Sequence, residues 1–508
     1  MNDFTRNFML LKKYLLLAVL LTKVGPVIAQ PSDNLLNAEK PRPISMMEAL
    51  QLALKNNLDI RISQTTPLLD QYGLNGLYGA YEPGYSFSSG YSFNSTFGGI
   101  DSQGRFFAAN TSEAEIYSSG FAGVLPTGLS YNLGGTLYKQ TINSTHPPIY
   151  SSSPGLTLRQ PILKNFWIDG TRWQISLGKK SLKIDQLALR WQIMTVVNNV
   201  KAAYYNLIFA RENVQVKIQA WELAKRLFDE DKKKVELGAL APLEEKQAES
   251  QVATSQANWL TAEQALAGVE NNLRSLISDN YEEWANIAPI PTEPLLALPE
   301  PLDLQASLRR GIERRPDLAQ AKLNVEKQNI TLKYTRNQLF PELDLTGSYG
   351  HNATTIGLEQ NMDTLGRGTF PYYSYGLTMT IPLGNRAARN NHKAAKESLN
   401  QLMLQLKKTE RTIVVAIDND VKLAADNFQR IKYTSAARVY AESALEGEQK
   451  KFDLGKSTSL DVLQSQNTLT SARSDEIRSL ADYNISLEQL AYDEGSILER
   501  SHIDVNLK

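Results

Sequence analysis

Residues 193–214 read IMTVVNNVKAAYYNLIFARENV and lie in a segment, residues 171–237, that contains no proline. Apolar side chains recur along this segment at alternating intervals of three and four residues, with Arg211, Lys225 and Lys232 as interruptions. The stripe consists of Ile193, Val197, Val200, Tyr204, Leu207, Val214, Ile218, Trp221, Phe228 and Val235. This spacing is typical of a coiled coil. At about 1.5 Å per residue it predicts a helix of about 100 Å, far longer than an ordinary globular helix.

The second half of the chain repeats this plan. Gly238 ends the first long helix, and a second helical segment follows over residues 242–278. Residues 385–454 and 460–490 carry the corresponding segments on either side of Gly455. Lys234, Leu237, Gly238, Leu243 and Gln247 are matched 217 residues later by Lys451, Leu454, Gly455, Leu460 and Gln464. We therefore predict a tandem duplication of a unit with the order helix, strand, strand, long helix, helix.

Between the helices the apolar period changes to two, which predicts strands. Tyr85, Phe87, Tyr91 and Phe93 alternate with serine, glycine and asparagine, and similar alternation recurs at 129–137, 155–158, 341–349 and 375–381. A strand of about ten residues with one apolar and one polar face is typical of a tilted membrane strand. We expect the apolar face to contact lipid and the polar face to line a lumen. The core of a soluble β-sandwich is the alternative interpretation.

The first strand block is longer than two strands require. About sixty residues separate the strand at Tyr85 from the strand at Leu156, where a plain hairpin loop needs far fewer. Residues 114–138 predict an added hairpin that turns at Pro126-Thr127-Gly128. The pattern leaves open whether this hairpin joins a barrel or covers its mouth.

These elements together predict the architecture. So few strands cannot close a barrel, which needs about eight, and exposed strand edges are not viable inside a bilayer. The barrel must therefore be shared among protomers. The helices are too charged for lipid, as Asp-Glu-Asp-Lys-Lys-Lys at 229–234 illustrates. The predicted fold is mainly α with a membrane β part, in which a coiled-coil α-barrel of long helices continues into a trimer-shared transmembrane β-barrel.

The composition excludes several functional classes. The chain has 508 residues, 54 basic and 54 acidic side chains, and no cysteine. The charge balance argues against nucleic-acid binding, and the lack of cysteine excludes disulfides, thiolate metal sites and cysteine nucleophiles. The four histidines, His146, His351, His392 and His502, have no partner at ligand spacing. We predict no enzyme activity, no catalytic residue, no metal and no cofactor.

The first residues predict export. Lys12 and Lys13 precede an apolar run over residues 14–21, and Val27-Ile28-Ala29 follows as a cleavage site. We interpret residues 1–29 as a signal peptide. A short N-terminal membrane anchor is the alternative, although the run is well below the roughly 20 residues that span a bilayer.

The remaining chain divides at its proline-rich connector. We predict a first structural repeat over residues 30–288 and a Pro-rich linker over residues 289–302. A second repeat follows over residues 303–494, and residues 495–508 form a C-terminal tail.

The order and spacing of these segments resemble the TolC-like outer-membrane efflux and secretion ducts. The residues that carry the resemblance are Gly155-Leu156-Thr157-Leu158, Gly376-Leu377-Thr378-Met379, Gln160-Pro161, Ile381-Pro382, Arg315-Pro316-Asp317-Leu318, and the turns at 237–240 and 454–457. The resemblance implies a homotrimer in the cell outer membrane with a periplasmic helical domain. It also implies two protein partners, a periplasmic adaptor and an inner-membrane transporter.

The resemblance further implies which residues form the functional site. The turns Leu237-Gly238-Ala239 and Leu454-Gly455-Lys456 would form the periplasmic tip that contacts the adaptor. Glu244, Asp461 and Gln464 would surround a closed aperture. Gln464 and Ser457 stand where the best-known member has an aspartate and an arginine, so the closure here is expected to be looser. The alternative for Glu244 and Asp461 is ordinary first-turn charge at a helix N-terminus.

Two functions follow from the sequence. The first is a passive transport duct that is gated at its periplasmic tip. The alternative is an envelope scaffold without transport, a coiled-coil stalk that carries a small strand domain. A polar strand face and a duplicated helix unit favour the duct, because a stalk requires neither. The cargo stays open among drugs, metal ions, polysaccharide and protein.

Overall fold

The structure, a computed structural model, describes residues 40–143 and 146–504, and the predicted signal peptide lies outside them. The helices are α1 (Met46–Asn56), α2 (Leu58–Tyr78), α3 (Gly170–Glu236), α4 (Pro242–Ile277), α5 (Tyr281–Trp284), α6 (Leu304–Arg314), α7 (Pro316–Asn337), α8 (Leu358–Gly366), α9 (Arg386–Asp453), α10 (Ser459–Asp493) and α11 (Ile497–Arg500). The strands are β1 (Lys40–Ile44), β2 (Gly84–Thr96), β3 (Gly99–Ile100), β4 (Phe106–Phe107), β5 (Asn110–Val124), β6 (Ser130–Ile142), β7 (Ile149–Ser152), β8 (Gly155–Pro161), β9 (Ile287–Pro291), β10 (Glu342–His351), β11 (Ala353–Thr355) and β12 (Pro371–Thr380). None of the helices in the described ranges is both long enough and apolar enough to cross a membrane.

The helices lie side by side in four columns. The first column contains α2 and α4, which pack on successive parts of α3, and α3 is the second column. The third column contains α7 and α10, which pack between α3 and α9, and α9 is the fourth column. The two long helices have 67 and 68 residues, which corresponds to about 100 Å each. The fold is therefore mainly helical, as the sequence predicts.

The main sheet of the described residues has six strand positions, in the order β2, β5, β6, β7 with β8, β10 with β11, and β12. β7 and β8 pair with successive parts of the same edge of β6, so they act as one strand with a break at Ser153-Pro154. β10 and β11 pair with this broken strand in the same way. All pairs are antiparallel. The predicted added hairpin is present as β5 and β6, and it lies inside the sheet.

The sheet has one apolar and one polar face across all six strands. Directly paired residues of antiparallel strands share a face. One row joins Tyr85, Phe121, Leu133, Leu156, Tyr349 and Tyr373. The opposite face is lined by small and polar residues, which include Ser86, Ser118, Asn132, Thr136, Thr157 and Ser348. The alternation that the sequence predicts strand by strand therefore forms two continuous surfaces.

The short strands β1 and β9 lie against the helices near the middle of α3. Tyr204 is fully buried there, and its hydroxyl donates a 3.0 Å hydrogen bond to the carbonyl oxygen of Ile44. β1 and β9 form a parallel two-stranded sheet next to it. Pro43 lies within β1 and Pro289 within β9, which includes the first residues of the segment that we predicted as a Pro-rich linker. Both are edge strands, in which a proline that does not need to donate to the ladder is tolerated.

Two of the shorter helical segments are divided. The break between α1 and α2 lies at Asn57, and not at Pro67 inside α2, because the Asn57 side chain accepts hydrogen bonds from the backbone of Asp59 and Ile60 and starts a new helix. α6 and α7 are divided at Arg315, because the residue before Pro316 disfavours helical geometry. A further helix, α8, lies between β11 and β12.

The predicted stripe on α3 is confirmed in its first half only. Ile193, Val197, Val200, Tyr204, Leu207 and Val214 are buried. Beyond Val214 the buried positions shift to Ala224, Leu227 and Asp231 instead of Trp221 and Phe228. An α-helix has about 3.6 residues per turn, so a strict seven-residue spacing drifts around its surface over several turns.

Candidate gate at the helical tip

The two tip turns have the same backbone geometry. Gly238 and Gly455 follow the long helices with φ of 72° and 69°, a region that favours glycine. After each glycine the next backbone N–H reaches back to the last helical turn, from Ala239 to Lys234 and from Lys456 to Lys451, at 2.8 Å in both cases. Both long helices therefore end in the same closed turn.

Leucine side chains project from these turns into solvent. Leu237 is 83% exposed and Leu454 is 70% exposed. Leu243 and Leu460, near the starts of α4 and α10, are exposed as well. Each tip turn therefore carries one exposed leucine at the end of its long helix and another near the start of the following helix.

Asp461 caps α10. Its carboxylate accepts hydrogen bonds from the Thr458 hydroxyl at 2.7 Å and the Thr458 backbone N–H at 3.2 Å, while the Thr458 hydroxyl accepts from the Asp461 backbone N–H. This is a capping box. The hydrogen bonds from Thr458 hold the pKa of Asp461 below its ordinary value, so the exposed carboxylate stays charged.

Glu244 lies in the first turn of α4 and contacts the start of α10. Its Oε2 accepts a 3.4 Å hydrogen bond from the backbone N–H of Ser459, the first residue of α10. The Ser459 hydroxyl in turn donates to the carboxylate of Asp231 on α3. Asp231 is fully buried, and burial raises the pKa of its carboxyl group. Glu244 thus belongs to a network that joins α3, α4 and α10.

Sequence reasoning missed Asp231, although a signal was present. We interpreted the run at residues 229–234 only as solvated charge. Asp231 lies one residue before Lys232, which occupies the stripe position, and it lies four residues after Leu227 and seven after Ala224, the positions to which the buried side of α3 has shifted. The signal is the drift of an α-helix against a strict seven-residue spacing, which brings Asp231 to the buried side.

Gln464 is exposed and borders two grooves. One groove of about 750 Å³ lies between α4 and α10, and Leu460 and Gln464 contribute to its wall. The other, of about 330 Å³, lies between α9 and α10 and is lined by Asp461, Gln464 and Glu448 among others. Asp461 and Gln464 therefore share one groove, whereas Glu244 lies on the α4 side of Ser459.

Ser457 holds α9 to the start of α10. Its hydroxyl contacts the carboxylate of Glu448 and also lies 3.3 Å from that of Asp461. The hydrogen bond from Ser457, with a further one from Lys451, holds the pKa of Glu448 below its ordinary value. The tip turn after α9 is therefore fixed by its own chain through polar contacts.

A second charged group faces the polar side of the sheet near its helical end. Arg159 Nε donates to Asp344 Oδ2 at 2.8 Å, and Arg159 Nη2 donates to Glu342 Oε1 at 2.7 Å. These residues come from neighbouring strands, β8 and β10. The sequence offered no signal for this pair, because it depends on the register between strands of different repeats.

A buried acid pair lies between α9 and α10, away from the tip. Asp493 accepts hydrogen bonds from Arg315 Nη1 at 2.5 Å and from Gln489 Nε2 at 2.7 Å. Asp420 Oδ2 is buried nearby and has no donor among the described residues. Burial, followed by the neighbouring Asp493, raises the pKa of Asp420 to about 7.

A layer of long helices that continues into a sheet with one apolar and one polar face defines a subunit of a TolC-like outer-membrane channel. The chain belongs to the family described as outer membrane efflux protein, whose model matches residues 120–278 and 308–492. It is accordingly an outer-membrane protein, and its helical domain lies in the periplasm.

Individual relatives agree with this family. Outer membrane protein TolC of Escherichia coli is 24% identical over 348 residues, which cover 67% of this chain and 68% of TolC. Cobalt-zinc-cadmium resistance protein CzcC of Cupriavidus metallidurans is 22% identical over 307 residues, covering 59% of this chain and 68% of CzcC.

Solved structures share the fold. The CmeC outer membrane channel of Campylobacter jejuni superposes with a TM-score of 0.66 at 17% identity, covering 91% of this chain and 90% of CmeC. The outer membrane protein VceC of Vibrio cholerae gives a TM-score of 0.63 at 16% identity, covering 89% of this chain and 96% of VceC.

Proposed function

We propose that the chain is the outer-membrane subunit of a tripartite efflux or type I secretion system. Three copies would form a passive duct from the periplasm to the exterior. The observation that carries this proposal is that the helical columns and the strands of the sheet follow one another in the same order. α2 leads into β2, β8 into α3, α7 into β10 and β12 into α9, so helices and strands run in one sequence around the molecule.

The sheet and the helical layer each have two uncovered edges, and these edges lie on the same two sides of the molecule. Within residues 40–143 and 146–504, β2 and β12 each pair with one neighbour only, and they are the two edges of the sheet. Unpaired strand edges are not viable in a bilayer, so another copy must cover them. β2 leads away from the helices and β12 returns to them, so these edges would meet antiparallel between copies.

Apolar side chains line the outer helical columns. Leu404, Leu423, Tyr433 and Tyr440 are exposed on α9, and Ile62, Leu69 and Tyr72 are exposed on α2. These columns lie at opposite sides of the helical layer. Association of copies side by side would bury both rows and close the helices into a cylinder.

The tip would act as the gate and as the partner contact. Asp461 and Gln464 of three copies would surround the axis, with Glu244 behind them, and like charges in a narrow throat attract cations. The exposed leucines Leu237 and Leu454 would bind the periplasmic adaptor, which couples the duct to an inner-membrane transporter.

Reconstitution into planar lipid bilayers tests this function. We expect the purified protein to produce discrete conductance steps with a preference for cations. A scaffold without transport would bind the membrane but give no steps. Protein that was unfolded before reconstitution serves as the control for non-specific leakage.

A further inference from the structure

We propose that the hairpin β5–β6 is part of the barrel wall, so that three six-stranded units form a barrel of 18 strands. Such a barrel would be as wide as the helical cylinder below it. The inference rests on the proposed function, because it requires that three copies close the sheet in the outer membrane. Within the chain, the second repeat contributes two strands, β10 and β12, at the positions where the first contributes β2 and β8.

The hairpin is paired on both sides along most of its length. β5 pairs with β2 from Gly84–Ala122 to Thr96–Asn110, so every residue of β2 has a partner. β6 pairs on its other edge with β8 and then with β7. In the part of the chain that the structure describes, β2 and β8 do not pair with each other, because the hairpin lies between them. A hairpin that merely covered the mouth would leave β2 beside β8.

The hairpin has the same two faces as the rest of the sheet. Phe121 and Leu133 lie in the apolar row between Tyr85 and Leu156. On the polar face, Ser118 Oγ and Thr136 Oγ1 lie 3.4 Å apart. A plug inside the lumen would have water on both faces and would not need this alternation.

The polar face is crowded where β5, β6 and β8 meet. Side chains added at Gly120 or Gly134 would lie 3.0 Å or less from the opposite backbone. A side chain at Gly155 would collide with the hydroxyl of Tyr372, which extends over it from β12. Glycines concentrated on one face let a sheet curve toward that face, so the polar face is the concave side. The hairpin therefore shares the curvature of a barrel wall.

The turn of the hairpin lies at the helical end of the sheet. Gly128 adopts φ of 85°, and a side chain there would approach the guanidinium of Arg172 at 3.1 Å. Gln160 Nε2 donates a 3.3 Å hydrogen bond to the carbonyl oxygen of Thr127. Arg172 belongs to the first turn of α3. The hairpin thus extends over the full height of the sheet.

The widths of the helical layer and of the sheet support a count of six strands per subunit. Helices packed side by side are about 9 Å apart, so four columns cover about 36 Å of circumference. A strand tilted by about 40° occupies about 6 Å of circumference, so six strands cover about 37 Å and four cover about 25 Å. Only the six-stranded unit matches the helical layer. Three units give a diameter of about 36 Å instead of about 24 Å, and roughly twice the cross-section.

Thiol labelling tests the position of the hairpin, since the chain has no native cysteine. Ser118 and Ser119 lie on the polar and apolar faces of β5, and Ser88 and Ser89 form the matched pair on β2. We expect Ser118→Cys and Ser88→Cys to react with a water-soluble thiol reagent in liposomes. Ser119→Cys and Ser89→Cys should be protected at least tenfold by lipid.

The two pairs separate the possible failures. Contrast at 88 and 89 with equal reactivity at 118 and 119 would place the hairpin outside the wall and overturn this inference alone. Equal reactivity within both pairs would mean that the sheet does not lie in lipid, and the proposed function would fail with it.

Excision of the hairpin tests the width. At the ends of the hairpin the Asn143 backbone N–H donates a 2.8 Å hydrogen bond to the Thr111 carbonyl oxygen, and the Thr111 backbone N–H donates one of 2.8 Å to Asn143 Oδ1. Residues 112–142 can therefore be removed and these ends joined. We expect the shortened protein to exclude smaller polyethylene glycols, added from the extracellular side, than the full chain does. An unchanged size limit would contradict the 18-stranded wall. If the shortened chain does not assemble, the labelling contrast decides.

Discussion

Asp461 combines two roles that the sequence alone could not separate. Its carboxylate closes a capping box with Thr458, which is the ordinary helix-start role, and it also remains exposed in the groove beside Gln464. The sequence indicates the cap, because Thr458 is followed three residues later by Asp461. Its position relative to a symmetry axis depends on other copies, and no pattern within one chain encodes that.

Neutralising the tip acids should reduce cation preference. We expect Asp461→Asn combined with Glu244→Gln to lower cation selectivity in bilayers, because up to six carboxylates are removed from the throat. The difference should shrink in about 1 M salt, where the Debye length is about 3 Å.

The matched control is Asp453→Asn, which removes an exposed acid from the end of α9 without changing the capping box. It should keep the selectivity of the unmodified chain. Unchanged selectivity in the double variant would show that Glu244 and Asp461 act only at the helix starts.

The buried acid pair predicts a pH dependence of stability. The folded-state pKa of Asp420 is about 7, above the ordinary value of an aspartate. A raised pKa means that the stability contribution is complete below about pH 4 and is lost as the pH rises through about 7. We expect the free energy of unfolding in detergent to fall between pH 5 and pH 8 for this reason.

Asp420→Asn should remove this loss. The amide can donate to Asp493 at every pH, so we expect a gain of about 1 to 2 kcal/mol at pH 8 and little change at pH 5. Asp418→Asn is the control, since Asp418 pairs with Lys422 on the surface of the same helix. An identical pH profile for all three proteins in denaturant unfolding would contradict the assignment.

At the scale of elements, the tip turns depend on glycine. We expect Gly238→Ala and Gly455→Ala each to destabilise the protein by about 1 kcal/mol, because alanine is strained at positive φ. Gly447→Ala, in the interior of α9 with open space around it, should instead stabilise by about 0.5 to 1 kcal/mol. Thermal unfolding of the three variants compares them directly, and equal effects would argue against the turn geometry.

The strand faces predict a contrast between neighbouring residues. We expect Phe87→Arg and Leu345→Arg to impair assembly in the outer membrane, at a cost of up to roughly 2 to 4 kcal/mol near the midplane. Ser88→Arg and Thr346→Arg place the same charge on the polar face and should assemble. The amount of heat-stable oligomer in membranes measures the difference. Equal defects on both faces would contradict the assignment.

Long elements were the easiest to predict and irregular ones the hardest. The bounds of α3 and α9 follow from proline-free periodic segments that end in Gly238 and Gly455. β1 and β9 were missed, because their pairing depends on residues far apart in the chain and prolines obscure the strand pattern. α8 was missed because its position depends on Asn361, which is fully buried against β7 and β11.

At the scale of the whole molecule, the sequence predicted that the sheet must be shared but not how wide it is. Alternation identified strands one by one, and the count of six requires the register between β5, β6 and β8. That register is set by pairing across the hairpin and by the glycines that allow close approach. The central claim is therefore that one subunit is an open segment of wall, which copies of itself close.

Covalent linkage of the two open edges tests this claim most directly. One chain would carry Ser88→Cys on β2 together with Ser374→Cys or Thr378→Cys on β12, all on the polar face, and would be treated in membranes with a short bifunctional thiol reagent. Closure by three copies predicts covalent dimers and trimers on a denaturing gel and no larger species. A product that stays monomeric, or a ladder that continues beyond the trimer, would contradict the account.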